Sequence, residues 1–304
     1  MRAVTKLGTY PVKFVKRPRF YTMRLLGRFV TVQRLVRRLP SRTPAFPTGG
    51  GTSVFPDLNV AAAVATLQRD GLLVGLKLPA EIIDEIRAYA ETATCYANFD
   101  PTLGFPIAQV REAEAKIGRR IVAAEYFNAS LDCAAIKQLS SDTKLLELST
   151  GYLGRPAKWM GSLLRWTFAT DTTPKDMADY AQLFHFDLDD YSVLKFFFYI
   201  TAVDDLSGPH VLVRGSHRTK RVGYRYYRPR SRLLDEQVER FYGRESLATL
   251  LGQAGTGFAM DPFCIHKGTP PSGKPRLALQ VQFVVTDYGF GYGVRDPAQL
   301  KSLL

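Results

Sequence analysis

The sequence of 304 residues contains few cysteines and no long apolar run, and each absence excludes a class of protein. Its three cysteines, Cys95, Cys133 and Cys264, are too few and too scattered for a disulfide framework or a zinc cluster, which favours a reducing compartment. No stretch approaches the roughly 20 uncharged apolar residues that a membrane-spanning helix needs. Hydrophobic residues make up 46% of the chain and charged residues 23%, which is typical of a globular protein and excludes a disordered chain or a fibre.

Acidic residues are absent from the first 56 positions, although the whole chain carries 28 of them. Twelve of the 41 lysines and arginines precede Asp57, so the rest of the chain holds 29 basic and 28 acidic residues. The net charge of +13 therefore resides almost entirely in an N-terminal arm, and the body is close to neutral. Nucleic acid is not favoured as a partner, because a nucleic-acid-binding domain carries its positive charge on the folded body.

Residues 24–38 of the arm are predicted to form a basic amphipathic helix. The basic arc of its helical wheel contains Arg24, Arg28, Arg34, Arg37 and Arg38. The opposite, apolar arc contains Leu25, Leu26, Phe29, Val32 and Val36. Three interpretations stay open: a helix that lies on an anionic membrane surface, a targeting peptide for an organelle, or an arm that is solvated or docked on the body or another subunit. We expect a cytoplasmic protein, with peripheral membrane attachment or organelle targeting through the arm as alternatives.

Proline and glycine are concentrated between the arm and the body. Pro40, Pro44 and Pro47 precede the run Gly49–Gly51, which is typical of a flexible linker. We therefore divide the chain into a basic arm with its linker, at residues 1–53, and one domain at residues 54–304.

The body has helical patterns in its first half and short β-rich runs in its second half. Helices are predicted at residues 59–69, 79–91, 110–118 and 131–153, and Gly71 is predicted to cap the first of them. Strands are predicted at Leu163–Phe168, Gln182–Phe186, Val193–Val203, Val211–Val213, Gly257–Met260 and Leu277–Thr286. This order indicates an α+β fold in which helices buttress an antiparallel sandwich or barrel.

The chain has only four histidines, and one of them, His185, lies two residues before Asp187 in a β-rich run. Alternate side chains of a strand share a face, so this imidazole and this carboxylate point the same way. They can therefore provide two of the ligands of a metal site. A distant third histidine would complete a facial triad that leaves three positions on Fe(II) open for oxygen and a chelating co-substrate. The pair alone is also compatible with a structural hydrogen bond.

A second segment supplies a histidine and an arginine ten residues apart. His266 lies near the end of a predicted strand, and Arg276 begins the strand that follows the turn Gly268–Pro275. A hairpin of this kind can bring Arg276 beside His266, where its guanidinium could grip a carboxylate with two hydrogen bonds. A dicarboxylate that chelates iron at one end needs such an anchor at the other. Lys195 interrupts an apolar strand and must also find a partner, which is Asp189, Asp190 or a carboxylate of the co-substrate.

Four segments, taken in order, resemble the phytanoyl-CoA dioxygenase family of Fe(II)- and 2-oxoglutarate-dependent oxygenases. They are Phe184–Asp187, Phe198–Asp204, Ser207–His217 and His266–Gly268 with Arg276, and the resemblance covers roughly residues 57–290. It implies a double-stranded β-helix (jelly-roll, cupin-like) core. It also implies that His185, Asp187 and His266 hold Fe(II) and that Arg276 anchors 2-oxoglutarate. One departure is Arg214, where relatives often have proline, and it concerns a turn.

The resemblance implies a dioxygenase that hydroxylates a C–H bond of a small organic or lipid-related molecule. Two other functions stay open. The chain could be a non-catalytic jelly-roll binding or scaffold protein, or a metal enzyme of the same fold that does not use 2-oxoglutarate; Arg276 speaks against the second.

A basic and aromatic segment, Arg218–Arg232, lies between the two halves of the predicted metal site. It contains seven lysines and arginines, three tyrosines and no acidic residue. We expect it to cover the site, with Arg225, Arg228 and Tyr226 binding an anionic substrate such as a phosphate, a carboxylate or an acyl thioester. A solvated loop or a subunit contact is the alternative.

Overall fold

A computed structural model of the chain describes Val15 and residues 17–38, 52–221, 232–289 and 291–304. Its helices are α1 (Pro18–Leu26), α2 (Val30–Arg38), α3 (Val60–Asp70), α4 (Ala80–Thr92), α5 (Val110–Ile117), α6 (Ala129–Asp132), α7 (Ala134–Ser140), α8 (Thr143–Leu153), α9 (Pro174–Asp179) and α10 (Asp235–Tyr242). None of the helices in these ranges is long and apolar enough to cross a membrane.

The strands form one large and one small antiparallel sheet. They are β1 (Leu72–Lys77), β2 (Thr94–Ala97), β3 (Gly104–Pro106), β4 (Ala123–Tyr126), β5 (Lys158–Thr167), β6 (Val193–Tyr199), β7 (His210–Val213), β8 (Leu247–Leu250), β9 (Thr256–Met260), β10 (His266–Gly268) and β11 (Arg276–Val284). The large sheet has the order β1-β9-β6-β11-β5-β4-β2-β3, and the small sheet has the order β10-β7-β8.

The second half of the chain passes back and forth between the two sheets. Strands β5, β6, β9 and β11 belong to the large sheet, and β7, β8 and β10 belong to the small one. The short segment at Phe184 and His185 extends the small sheet, because His185 bridges to His266 of β10. This alternation is the double-stranded β-helix, or jelly roll, that we expected, and the α+β fold class is confirmed.

The large sheet buries both of its faces. Helices α3, α4, α7 and α8 cover the outer face, where Leu67 and Ile86 join Phe196 and Phe198 of β6 in one apolar cluster. The inner face meets the small sheet through a second cluster that contains Phe197, Phe258 and Leu212. Successive residues of β6 therefore point alternately to the helices and to the small sheet, as the twofold side-chain period of a strand requires. Strand β6 is therefore buried on both sides and forms part of the wall of the space between the sheets.

Some element boundaries differ from those predicted. The segment Gln182–Phe186 forms only single bridges at Phe184 and His185, not a strand. The helix expected at 131–153 is divided into α6, α7 and α8, and the side chain of Asp142 accepts the N–H groups of Lys144 and Leu145 where α8 begins. Strands β2, β3, β4 and β8 were not predicted, because runs of three or four residues are too short to show a period. Gly71 caps α3 in the left-handed conformation, as expected.

Within residues 17–38 the arm forms two helices rather than the one predicted, and both pack on the body. Gly27 separates them, and a Cβ there would lie 2.8 Å from the carbonyl oxygen of Met23 and 3.3 Å from Leu188. Met23 of α1 is fully buried, and Arg37 of α2 forms an ion pair of 2.9 Å with the buried Asp261. Residues 17–38 therefore dock on the body, and attachment to a membrane surface or targeting to an organelle stays a prediction. The single-helix prediction was wrong because the break at Gly27 turns the second half of the arm. The boundary at residue 53 stays a prediction.

Candidate metal centre

The backbones of His185 and His266 pair directly. The N–H of His185 donates to the carbonyl of His266 at 2.9 Å, and the N–H of His266 donates back to the carbonyl of His185 at 2.8 Å. Two residues away, the N–H of Asp187 donates to the carbonyl of Pro262 at 2.8 Å. These backbone bonds bring two segments 81 residues apart into a fixed register. They place the three predicted ligands side by side.

The side chains of His185, Asp187 and His266 converge, with their ligand atoms all within 4.8 Å of one another. The Nδ1 atom of His185 lies 2.8 Å from the carbonyl oxygen of Leu183, and the Nδ1 of His266 lies 2.8 Å from that of Cys264. A carbonyl can only accept, so each Nδ1 carries the proton and each Nε2 keeps its lone pair. The Nε2 atoms lie 3.6 Å and 3.7 Å from the two carboxylate oxygens of Asp187. Three lone-pair donors therefore face one point.

The protonation states of these three groups suit a cation. Burial lowers the pKa of His266 to about 3, and it lowers the pKa of His185 as well. Burial alone would raise the pKa of Asp187, but the ammonium of Lys195 and the two imidazoles outweigh that effect and hold it well below its usual range. At neutral pH both imidazoles are neutral and the carboxylate is ionised, which is the form that binds a metal.

Lys195 projects from β6 toward the same point. Its Nζ donates to Asp187 at 2.6 Å and lies 3.4 Å from Asp189. Of the partners expected for this lysine, Asp189 is correct, and Asp190 is not. The carboxylate of Asp190 instead accepts the N–H groups of Val285 and Thr286. The structure also gives Lys195 a partner that the sequence analysis did not consider, the predicted ligand Asp187. A role for Lys195 in binding the co-substrate stays a prediction.

Arg276 lies at the start of β11, where it pairs with Thr167 of β5. It is buried, and burial together with the nearby Arg165 lowers its pKa. Its Nε and Nη1 atoms have no hydrogen-bond partner within the described ranges. A Cβ at Gly268 would lie 3.2 Å from its Nη2, so the absence of a side chain at 268 leaves the guanidinium room beside β10. Buried guanidinium nitrogens rarely lack an acceptor, and the role of Arg276 as the anchor of 2-oxoglutarate stays a prediction.

One cavity of about 420 Å³ contains all five groups, the triad, Lys195 and Arg276. Sequence analysis missed several residues of its wall, which include Arg165, Gln182, Asp189 and His210. Arg165 could have been found, because Leu163, Arg165 and Thr167 alternate along β5 and all line the cavity. Gln182 gave no such signal. Its side-chain amide is buried, and neither its oxygen nor its nitrogen has a partner among the described residues.

The two remaining histidines have different surroundings. His210 begins β7, and its ring lines the cavity, with its centroid 4.7 Å from that of Phe197. The Nε2 of His217 lies 3.3 Å from the carbonyl oxygen of Gln68, and its Nδ1 lies 3.3 Å from the sulfur of Cys264. These two contacts hold the ring of His217 between α3 and the segment before β10.

The three residues predicted to bind substrate, Arg225, Tyr226 and Arg228, lie outside the described residues. Both flanks of that segment are described and pack near the metal centre. Lys220 lies over the ring of Phe263, with its Nζ 4.1 Å from the ring centroid. Arg232 donates to the carbonyl of Ala178, at 2.9 Å from Nη2. Substrate binding by Arg225, Tyr226 and Arg228 stays a prediction.

Comparison with known proteins finds similar folds but no close relative. No protein-family model matches the sequence, and no curated protein matches it. The non-heme alpha ketoglutarate dependent epimerase SnoN from nogalamycin biosynthesis is 15% identical, with 78% of this chain and 89% of that chain aligned at a TM-score of 0.48. HygX from Streptomyces hygroscopicus, with nickel and 2-oxoglutarate bound, is 14% identical over 74% of this chain and 87% of its own, with a TM-score of 0.48.

A third solved structure, EctD from S. alaskensis with 2-oxoglutarate and 5-hydroxyectoine, is 15% identical. It covers 81% of this chain and 86% of its own, with a TM-score of 0.49. Similarity at this level concerns the course of the backbone and assigns no chemistry to this chain.

Proposed function

We propose that this protein is an Fe(II)- and 2-oxoglutarate-dependent dioxygenase that hydroxylates a C–H bond of a small organic anion. One observation carries the proposal: a His-Asp-His triad and an arginine with unpartnered buried nitrogens line the same cavity. The order of the motifs along the chain further supports membership of the phytanoyl-CoA dioxygenase family.

The triad fits an iron ion by its donor set. Two neutral imidazoles and one carboxylate suit Fe(II), and three protein ligands leave positions for other molecules. The carbonyls of Leu183 and Cys264 fix both rings with Nε2 toward Asp187, which is the outer-shell support that metal-binding histidines commonly have. We infer that His185, Asp187 and His266 are the ligands.

The rest of the cavity fits 2-oxoglutarate. Arg276 can bind the distal carboxylate with two parallel hydrogen bonds, which would satisfy nitrogens that otherwise lack an acceptor. The unpartnered amide of Gln182 offers one donor and one acceptor nearby. Lys195 already binds Asp187 and Asp189, so we assign it to positioning the carboxylate ligand rather than to the co-substrate.

When bound, the iron and 2-oxoglutarate would supply the oxidising chemistry, and the protein would supply position and shielding. The ammonium of Lys195 keeps the carboxylate of Asp187 ionised and holds it in the position from which it would bind the metal. Arg276 sets the direction from which the co-substrate enters. Phe197, Leu163 and Ala278 form apolar parts of the wall, which limit the access of water to the reacting carbon.

Succinate formation tests the proposal. The purified full-length chain, supplied with Fe(II) and 2-oxoglutarate, should form succinate only in the presence of oxygen. Asp187→Asn should abolish this turnover, and Asp205→Asn, at an exposed position, should not change it. Oxygen uptake without 2-oxoglutarate would favour a metal enzyme that needs no co-substrate. Iron binding without any turnover, across a panel of organic acids, would favour a non-catalytic binding protein.

A further inference from the structure

We propose that helix α1 of the arm forms one wall of the substrate cavity, and that this cavity takes an organic anion with a flat ring system. The inference rests on the proposed function for its link to catalysis, but the binding site itself does not depend on iron.

A second cavity of about 1060 Å³ adjoins the metal cavity. Five residues line both: Phe99, Leu163, Arg165, Asp189 and Tyr292. At this junction the hydroxyl of Tyr292 donates to Asp189 at 3.0 Å, and Asp189 in turn lies 3.4 Å from Lys195. The second cavity therefore adjoins the cavity of the triad, and the two volumes together are large enough for a ligand of several rings.

Helix α1 and the residue before it form part of the wall of this cavity. Arg17, Phe20, Tyr21 and Arg24 line it. The helix is held by Met23, which is fully buried against Phe186, Leu188 and Phe263. Since Leu188 directly follows Asp187, the same contacts that fix α1 also support the loop of the metal centre. The position of α1 is therefore fixed relative to the metal centre.

The charge of the wall favours an anion. Four arginines line the second cavity, Arg17, Arg24, Arg165 and Arg295, against two carboxylates, Glu125 and Asp189. Both carboxylates have cationic partners, because Glu125 accepts from Arg165 at 2.6 Å and Asp189 lies beside Lys195. The Nε of the half-buried Arg24 is buried and has no hydrogen-bond partner in the described part of the chain. An acidic group of a ligand can accept the hydrogen bond that this guanidinium nitrogen has to donate.

The aromatic residues of the wall favour a flat ligand. Phe20, Tyr21, Phe99 and Tyr292 line the cavity. The guanidinium of Arg165 lies 4.1 Å from the ring centroid of Phe99, and that of Arg24 lies 5.6 Å from that of Phe20. Paired rings and guanidinium groups stack on planar ligands at low conformational cost. An acidic group on a ring system uses both kinds of contact.

Dye binding to the metal-free, full-length protein tests the inference without catalysis. The probe is 8-anilinonaphthalene-1-sulfonate, an aromatic anion with a flat naphthalene ring, which fluoresces when it leaves water. We expect one site per chain. Arg24→Gln should weaken binding about tenfold, the scale of one hydrogen bond to a charged group. Arg17→Gln, at an exposed position that cannot disrupt the core, should weaken it about threefold. Arg19→Gln, exposed on the same helix and outside the cavity wall, is the matched control and should bind as the wild type does.

Displacement of the dye identifies the acidic group. Both 1-naphthoate and 1-naphthyl phosphate should displace it, and the stronger competitor shows whether a carboxylate or a phosphate is preferred. Equal displacement by neutral 1-naphthol would overturn the assignment to an anion. Equal dye affinity of the Arg24→Gln, Arg17→Gln and Arg19→Gln variants would overturn the role of α1. Dye binding that follows our expectation in a protein without 2-oxoglutarate turnover would refute the proposed function and leave this site standing.

Discussion

At the scale of single residues, the ammonium of Lys195 controls the charge of the metal centre. It donates to Asp187 at 2.6 Å inside a buried cavity, where a carboxylate without a partner would take up a proton. The carboxylate stays ionised because Lys195 and the two imidazoles lower its pKa below its usual value. Asp187 therefore remains a metal ligand as the pH falls, until the histidines themselves become protonated.

Replacing Lys195 should shift the pH dependence of metal binding. In Lys195→Met the pKa values of His185 and His266 should rise together with that of Asp187, because the ammonium lowers all three, so protons should compete with the metal at a higher pH than in the wild type. We expect the acid limb of a Co(II) titration to move upward by about one pH unit, the scale of losing one close charge. Lys274→Met removes an exposed lysine that pairs with Asp204 at 2.6 Å, and it should leave the limb in place. Coincident limbs for the two variants would contradict the role of Lys195.

Arg276 makes a separate prediction about the co-substrate. Arg276→Ala should raise the apparent KM for 2-oxoglutarate about a hundredfold, because two hydrogen bonds between charged groups are lost. Initial rates of succinate formation against the 2-oxoglutarate concentration measure this effect. Arg244→Ala, at an exposed arginine paired with Glu239, is the control and should keep the wild-type KM. An unchanged KM in Arg276→Ala would refute the assignment.

The sequence was more informative about these residues than about the wall around them. The spacing of His185 and Asp187 predicts a shared face, and their side chains do converge. The hairpin predicted between His266 and Arg276 was wrong: β10 pairs with β7 in the small sheet and β11 pairs with β5 and β6 in the large one, so Arg276 reaches the cavity from the facing sheet. Tyr292 reaches both cavities from a segment that is not adjacent to the motifs in the chain, and Gln182, although only three residues before His185, carries no pattern that marks its amide as part of the wall. Their positions depend on how the sheets pack, and no local pattern encodes that.

At the scale of elements, long and periodic segments were predicted and short ones were not. Helices α3 and α4 and strands β5, β6 and β11 each bury one face or both against a layer, which leaves a clear pattern in the sequence. Strands β2, β3 and β4 extend the edge of the large sheet in pieces of three or four residues. Such pieces become strands only because β5 offers its edge to β4, a tertiary effect that propensity does not contain.

Asp142 links the start of the body to a helix, and this makes an element-scale prediction. Its carboxylate accepts the N–H groups of Lys144 and Leu145 of α8, and it also accepts the N–H of Val54 at 2.8 Å. Asp142→Ala should therefore lower the free energy of unfolding by about 2 kcal/mol, the upper end of the range for an N-cap. Urea unfolding followed by circular dichroism measures this value. Asp84→Ala, at an exposed position on α4, should change it by less than about 0.5 kcal/mol.

At the scale of the whole molecule, the basic arm is joined to the body although its composition differs from that of the body. A helical wheel predicts that its apolar arc is buried, yet Leu25 and Leu26 are exposed, with 53% and 41% of their surface accessible. Arg37 of the basic arc reaches inward instead, because it neutralises the buried Asp261. A wheel of one segment cannot show that a carboxylate 224 residues away needs a cation.

This ion pair predicts that the arm stabilises the body. The carboxylate of Asp261 is almost fully buried and accepts from both Arg37, at 2.9 Å, and the hydroxyl of Tyr152, at 2.5 Å. Arg37→Met would leave that carboxylate without its cation, so the free energy of unfolding should fall by about 3 kcal/mol. Arg34→Met removes an exposed arginine of the same helix, which donates to the carbonyl of Arg218, and should cost less than about 0.5 kcal/mol. Chemical denaturation of the two variants measures these changes in the free energy of unfolding. Equal stabilities would mean that this ion pair does not stabilise the body.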